Sequence, residues 1–135
     1  QPIIAWSTDE AAPSPGQVYM TSRATLETSA DQLARFLRAV DDCIGAMLSA
    51  GENLDRIVTS MTAKYDIVEA KRPDKGVAVL RNSLQHTYVA PHRDKLASSP
   101  ERWNTAYELM VKAKIIPPLD KREFYDDRVR KAALG

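Results

Sequence analysis

The sequence predicts a helix-rich α/β chain, and three observations lead there. One run of β-branched and aromatic residues bounded by turn formers, "QVYMTS" at 17–22, reads as a strand. Apolar residues recurring at steps of three and four over most of the remaining chain read as amphipathic helices. A single strand cannot satisfy its own ladder groups, so those helices require a sheet whose other strands lie at 3–6, in another chain, or in a part of the protein outside this segment.

The elements follow in order. "QPIIAWSTDEAAPSPGQ" has a short apolar run at 3–6 and then a loop marked by Pro13, Pro15 and Gly16. After the strand, Ser29 with Gln32 three residues on makes a capping-box start. The helix it opens runs to about residue 50, with Leu33, Phe36, Leu37, Val40, Ile44, Met47 and Leu48 on one stripe and Gly51 as its stop. A second helix, about 52 to 65, repeats the spacing with Leu54, Ile57, Val58, Met61 and Tyr65. A third opens on Pro73, tolerated at the first helical position, and buries Val77, Leu80, Leu84 and Tyr88. Ser99 caps a fourth, Pro100 takes its first position and Glu101 favours the positive end of its dipole. Trp103, Ala106, Tyr107, Met110, Val111 and Lys114 share its face or margin, and "IIPP" ends it. "DKREFYDDRVRKAAL" then makes one or two short helical turns.

Composition narrows the functional classes. The 135 residues are 44% hydrophobic and 27% charged, which suits one domain with a modest core. Nineteen Lys and Arg against eighteen Asp and Glu give a net charge of +1, with the signs interleaved, so no nucleic-acid partner is expected. Cys43 is alone, which excludes an internal disulfide, and its place between stripe positions predicts a small, semi-buried thiol. No apolar run approaches the roughly 20 residues that cross a bilayer. Starting at Gln1 suggests a processed chain or a piece of something longer.

Constellations with chemistry are few. His86 and His92 are six apart, with His92 read as a loop residue beyond Pro91, and no metal site is expected. Asp41 with Asp42, and Asp126 with Asp127, are neighbours that diverge by about 100° on a helix, so they read as solvated or capping charges. No glycine-rich phosphate loop is present. The aromatics mostly fall on helical stripes and read as core, but Trp6 and Tyr19 flank the Pro-rich loop beside the strand. Trp6 for stacking, with Ser7, Asp9 and Tyr19 for polar contacts, form a candidate ligand-binding set. A solvent-facing loop with one half-buried Trp is the other reading of the same residues.

The order of motifs carries a resemblance. "YMTSRATLETSADQLARFLRAVDDCIGAML", then "KYDIVEAKRPDKGVAVLRNSLQHTYVAP", then "SPERWNTAYELMVKAKIIPPLDKREFYDD" resembles the C-terminal part of the periplasmic substrate-binding proteins of ABC importers for nitrate, sulfonates, taurine and thiamine pyrimidine precursors. The matching positions are Phe36, Leu37 and Ala39, then Arg102, Trp103, Ile116, Pro118, Asp120, Phe124, Tyr125 and Asp126. The resemblance implies a type II periplasmic-binding-protein-like α/β fold, with residues 1–22 as a strand and hinge segment and 23–135 as the helical C-terminal portion of one lobe. It further implies a non-enzymatic component, periplasmic or lipid-anchored, that closes on a small polar or ionic solute without a cofactor. Its partners would be that solute, a membrane permease and an N-terminal lobe missing from this segment. Enzymatic relatives in the thiamine-pyrimidine branch use a Cys-rich motif and a His in their first half, and neither is found here. The competing expectation is a self-contained helical interaction module, homodimeric through exchange of a strand between chains.

Overall fold

The computed structural model describes residues 12, 15–16, 18–67, 72–119 and 125–135. Among them every regular element is a helix: α1 (Arg23–Thr28), α2 (Ala30–Ser49), a 3₁₀ turn (Gly51–Asn53), α3 (Leu54–Lys64), α4 (Pro73–Ser83), a π turn (Leu84–Tyr88), α5 (Val89–Arg93), α6 (Pro100–Lys112) and α7 (Arg128–Leu134). The expected α/β fold of the periplasmic-binding type is therefore corrected, since no strand and no sheet occurs among the described residues. At the expected strand, residues 18–22 belong to no strand or sheet. Val18, Tyr19 and Met20 are 41%, 65% and 90% exposed, so they find no pleated, half-buried surface of the kind that makes β-branched and aromatic residues good strand formers. Instead Ser22 caps α1, its hydroxyl accepting from the Thr25 N–H at 3.0 Å.

The chain divides into two compact units, one of residues 1–29 with 98–128 and one of residues 30–97 with 129–135. In the second unit the stripes are buried in part. Ile44 of α2, Leu54 and Val58 of α3 and Leu84 of the π turn are buried, α3 packs on α4, and α2 packs on both the π turn and α5. Four expectations fail at the stripes' edges: Phe36 is 48%, Met61 39% and Tyr65 56% exposed, and Cys43, expected semi-buried, is exposed. By helical spacing Phe36 and Cys43 share one edge of the α2 stripe, on the side away from Leu37 and Leu48.

The loop expected at His92 is helical, and so is the residue before it, Pro91. It lies inside α5, where a regular ladder would lose the bond to the Thr87 carbonyl and drive the proline ring into it. The π turn just before it closes instead from the Val89 N–H to the Leu84 carbonyl, five residues back, and the wider turn admits the proline without breaking the helix. His92 is thereby carried on a helix and not on a loop.

In the first unit, the Ser99 hydroxyl accepts from the Arg102 N–H at 3.3 Å and Pro100 takes the first position of α6, both as expected. Ser99 also donates to Glu101, which holds that carboxyl below its ordinary range. The far end of α6 closes as a Schellman motif: the Ile115 N–H bonds the Met110 carbonyl at 2.9 Å and the Lys114 N–H bonds the Val111 carbonyl at 3.0 Å. The left-handed residue it requires is Lys114, at φ 58°. A side chain there costs about 1 kcal/mol that glycine does not incur. Lys114→Gly is expected to stabilise the chain by about that amount, raising the thermal midpoint by roughly 4–8 °C for a unit this small. A melt that falls would show that the lysine side chain contributes more than its backbone strain removes.

Candidate functional site

The expected ligand set is only partly on view. Trp6, Ser7 and Asp9 lie outside the described residues, and Tyr19 sits on the extended, exposed segment before α1. Among the described residues no group of three or more His, Cys, Asp or Glu is placed to hold a metal ion. Nor is any helix there long and apolar enough to cross a membrane.

Polar side chains converge at three other places. The first joins α2 to α5. His92 Nδ1 lies 2.8 Å from Asp41 Oδ1, and a carboxylate only accepts, so Nδ1 carries the proton. The ring rests on α2 where Gly45, one turn beyond Asp41, leaves room for it. A Cβ at Gly45 would lie 3.0 Å from His92 Cε1 and 3.1 Å from Nε2. Asp41 was expected to be a solvated charge, but its side chain is only 16% exposed and serves His92. An oriented imidazole is half of an acid–base site. The hydroxyl further along the same ridge of α2, that of Ser49, donates to the Gly45 carbonyl at 2.8 Å and not to the ring. The pair therefore ties α5 to α2.

A second cluster lies in the first unit. Trp103 Nε1–H donates to Ser98 Oγ at 2.8 Å, and its ring stacks on Tyr125 at a centroid distance of 6.0 Å and 27° between planes. The Tyr125 hydroxyl donates to the Ser98 carbonyl at 3.2 Å, so both aromatics secure the residue just before the α6 cap. The hydroxyl of Tyr107, a buried residue, accepts from the Leu119 N–H at 2.9 Å and ties the segment after α6 back to it. Asp126 accepts from the Arg128 N–H at 2.9 Å and from its guanidinium at 2.7–3.1 Å. Those side-chain bonds, then the backbone bond and the charges of Arg128 and Arg23, hold the Asp126 carboxyl below its ordinary range.

The third convergence gathers cations around the C-terminal end of α7. Arg38 of α2 donates to the Ala133 carbonyl from Nε at 3.1 Å and from Nη2 at 2.8 Å. Lys95 Nζ donates to the carbonyls of Leu134 at 3.0 Å and Gly135 at 3.1 Å, while Arg130 reaches back to the Lys95 carbonyl at 3.4 Å. Lys95 and Leu96 both hold positive φ, 51° and 56°, as the chain turns out of α5. Spacing signals none of these pairs, because the partners are 35 to 95 residues apart.

Apolar side chains complete the description. Among the described residues seven hydrophobic ones are buried, whereas twelve large ones are exposed, among them Phe36, Val79 and Val89 in the second unit and Leu109, Met110 and Ile115 in the first. Met110, expected on the buried face of α6, is 41% exposed.

No known family, curated protein or solved structure matches the chain.

Proposed function

We propose that the chain is a helical protein-interaction module that associates with a second copy of itself. One observation carries this reading: large apolar side chains, Phe36 at 48%, Val79 at 52% and Val89 at 43% exposed, stand on the surfaces of helices whose buried core is small. Apolar surface in contact with water gains roughly 25 cal/mol per Å² when a partner covers it, and helix faces are suited to that use. A second copy is favoured as the partner because the net charge is only +1 with both signs interleaved, so two copies meet little mutual repulsion.

Sedimentation over a range from about 10 to about 500 μM is the test, a span that covers the weak to moderate affinities expected of a small interface. The weight-average mass should rise toward twice 15.0 kDa as concentration increases. The double variant Phe36→Ser with Val89→Ser alters only exposed positions and should weaken the association at least tenfold while leaving helical content unchanged. A mass that stays at the monomer value throughout the range would sink the reading.

A further inference from the structure

The imidazole of His92 is held in one orientation and left open at one atom. Asp41 Oδ1, 2.8 Å from Nδ1, keeps the proton on that nitrogen, so in the neutral ring the lone pair lies on Nε2. Among the described residues the ring makes its one hydrogen bond through Nδ1, and no side-chain nitrogen or oxygen shut off from solvent lacks a partner, so Nε2 is in contact with water. Gly45 adds to the opening. A side chain there would begin 3.0 Å from Cε1 and 3.1 Å from Nε2, where glycine presents only hydrogen. Asp41 lies on α2 and His92 on α5, helices that pack together within one unit, so the geometry is set by packed helices and not by a loop.

The surroundings decide what such a ring does. Ser49 donates its hydroxyl to the Gly45 carbonyl at 2.8 Å, so the ring has no hydroxyl there to activate. The ring is then itself the nucleophile, and the electrophile arrives on another molecule. Attack by Nε2 leaves the proton on Nδ1 and makes the ring cationic, and the Asp41 carboxylate already stands where that charge develops. An acyl group on a cationic imidazole is quickly lost to water, whereas a phosphoryl group, with its anionic oxygens, persists long enough to be passed on.

We propose that His92 Nε2 is a phosphoryl-acceptor site, with Asp41 as its positioning residue, and that its donors are compounds whose phosphorus is bound to nitrogen or to an acyl oxygen. With phosphoramidate as donor, the Nε2 lone pair forms the new N–P bond and the donor's own P–N bond breaks. Its electron pair leaves with ammonia, the donor nitrogen being fully protonated beforehand, and the Nδ1 proton stays in place. The site goes beyond the self-association reading and does not depend on it.

The full chain carries its own control. His86, in the π turn, is exposed and has no carboxylate bonded to it among the described residues, whereas the His92 side chain is only 35% exposed. A reaction governed by access alone would therefore favour His86. The protein is treated with potassium phosphoramidate and followed by intact mass, by peptide mapping and by ³¹P NMR, which separates the two ring nitrogens. His92 should gain one phosphoryl group, on Nε2, at least about tenfold faster than His86. Asp41→Asn keeps the size of the side chain and removes its charge, and it should bring His92 down to the rate of His86. Wild-type His92 that reacts no faster than His86, or that reacts on Nδ1, would overturn the assignment with no variant needed. An Asp41→Asn chain of unchanged circular dichroism that still reacts at the wild-type rate would do the same. Sedimentation decides the self-association reading separately, since neither rate depends on a second copy.

Discussion

Trp103→Ala is expected to destabilise the first unit by about 3 kcal/mol, the lower end of the range for removing a buried tryptophan, because this side chain is half-buried. Three separate losses add to that figure. The ring leaves Tyr125 without its stacking partner, Ser98 Oγ loses the indole donor, and the unit gives up a large aromatic on the same helix as Ala106 and Tyr107, the two residues of α6 that are buried. Trp103→Phe separates the terms: it keeps a ring against Tyr125 and removes the hydrogen bond to Ser98, so it should cost nearer 1 kcal/mol for that bond plus part of the lost area. Denaturant titration followed by circular dichroism measures both, provided the slope of the transition is unchanged between variants. A loss below about 1 kcal/mol for the alanine variant would place the indole on the surface and not in the structure of the unit. Solute binding plays no part in this expectation, since the indole is engaged by Ser98 and Tyr125.

The helices were legible because their signals are local. Ser99, Pro100 and Glu101 open α6 as their chemistry dictates, Pro73 opens α4, and the stripe of α2 points Ile44 inward, since each of these depends on neighbours within a turn or two. The expected strand at 17–22 fails for the opposite reason. β-branched and aromatic residues favour strands only where a sheet offers a surface, and Val18, Tyr19 and Met20 have none. The α/β expectation follows from the same segment, because a lone strand requires ladder partners in a sheet. His92, expected on a loop beyond Pro91, is helical, because the turn before Pro91 closes five residues back and admits the proline. The seat of α7 lay beyond reach of any spacing argument: Arg38 and Ala133 are 95 residues apart, and each reads in sequence as an ordinary helical residue.

Leu84→Ala is the second change expected to weaken the fold by about 3 kcal/mol, and its location makes the figure informative. Leu84 is 4% exposed at the start of the π turn, and that turn packs on α2 and α4. In a regular helix, small axial shifts let neighbours close over part of a new cavity. Here the register is set by the Val89 to Leu84 bond that makes room for Pro91, and by His92 held on Asp41 one turn later. Those fixed points hinder collapse, so the cavity term should persist alongside the loss of transferred apolar area. Gln85, His86 and Thr87 share the turn but are exposed, and their alanine variants should each change stability by less than about 0.5 kcal/mol. Comparable losses at all four positions would show that the π turn itself, and not the burial of Leu84, holds α2 against the following helix. A loss confined to Leu84 would show that the turn serves the core by aiming one leucine into it.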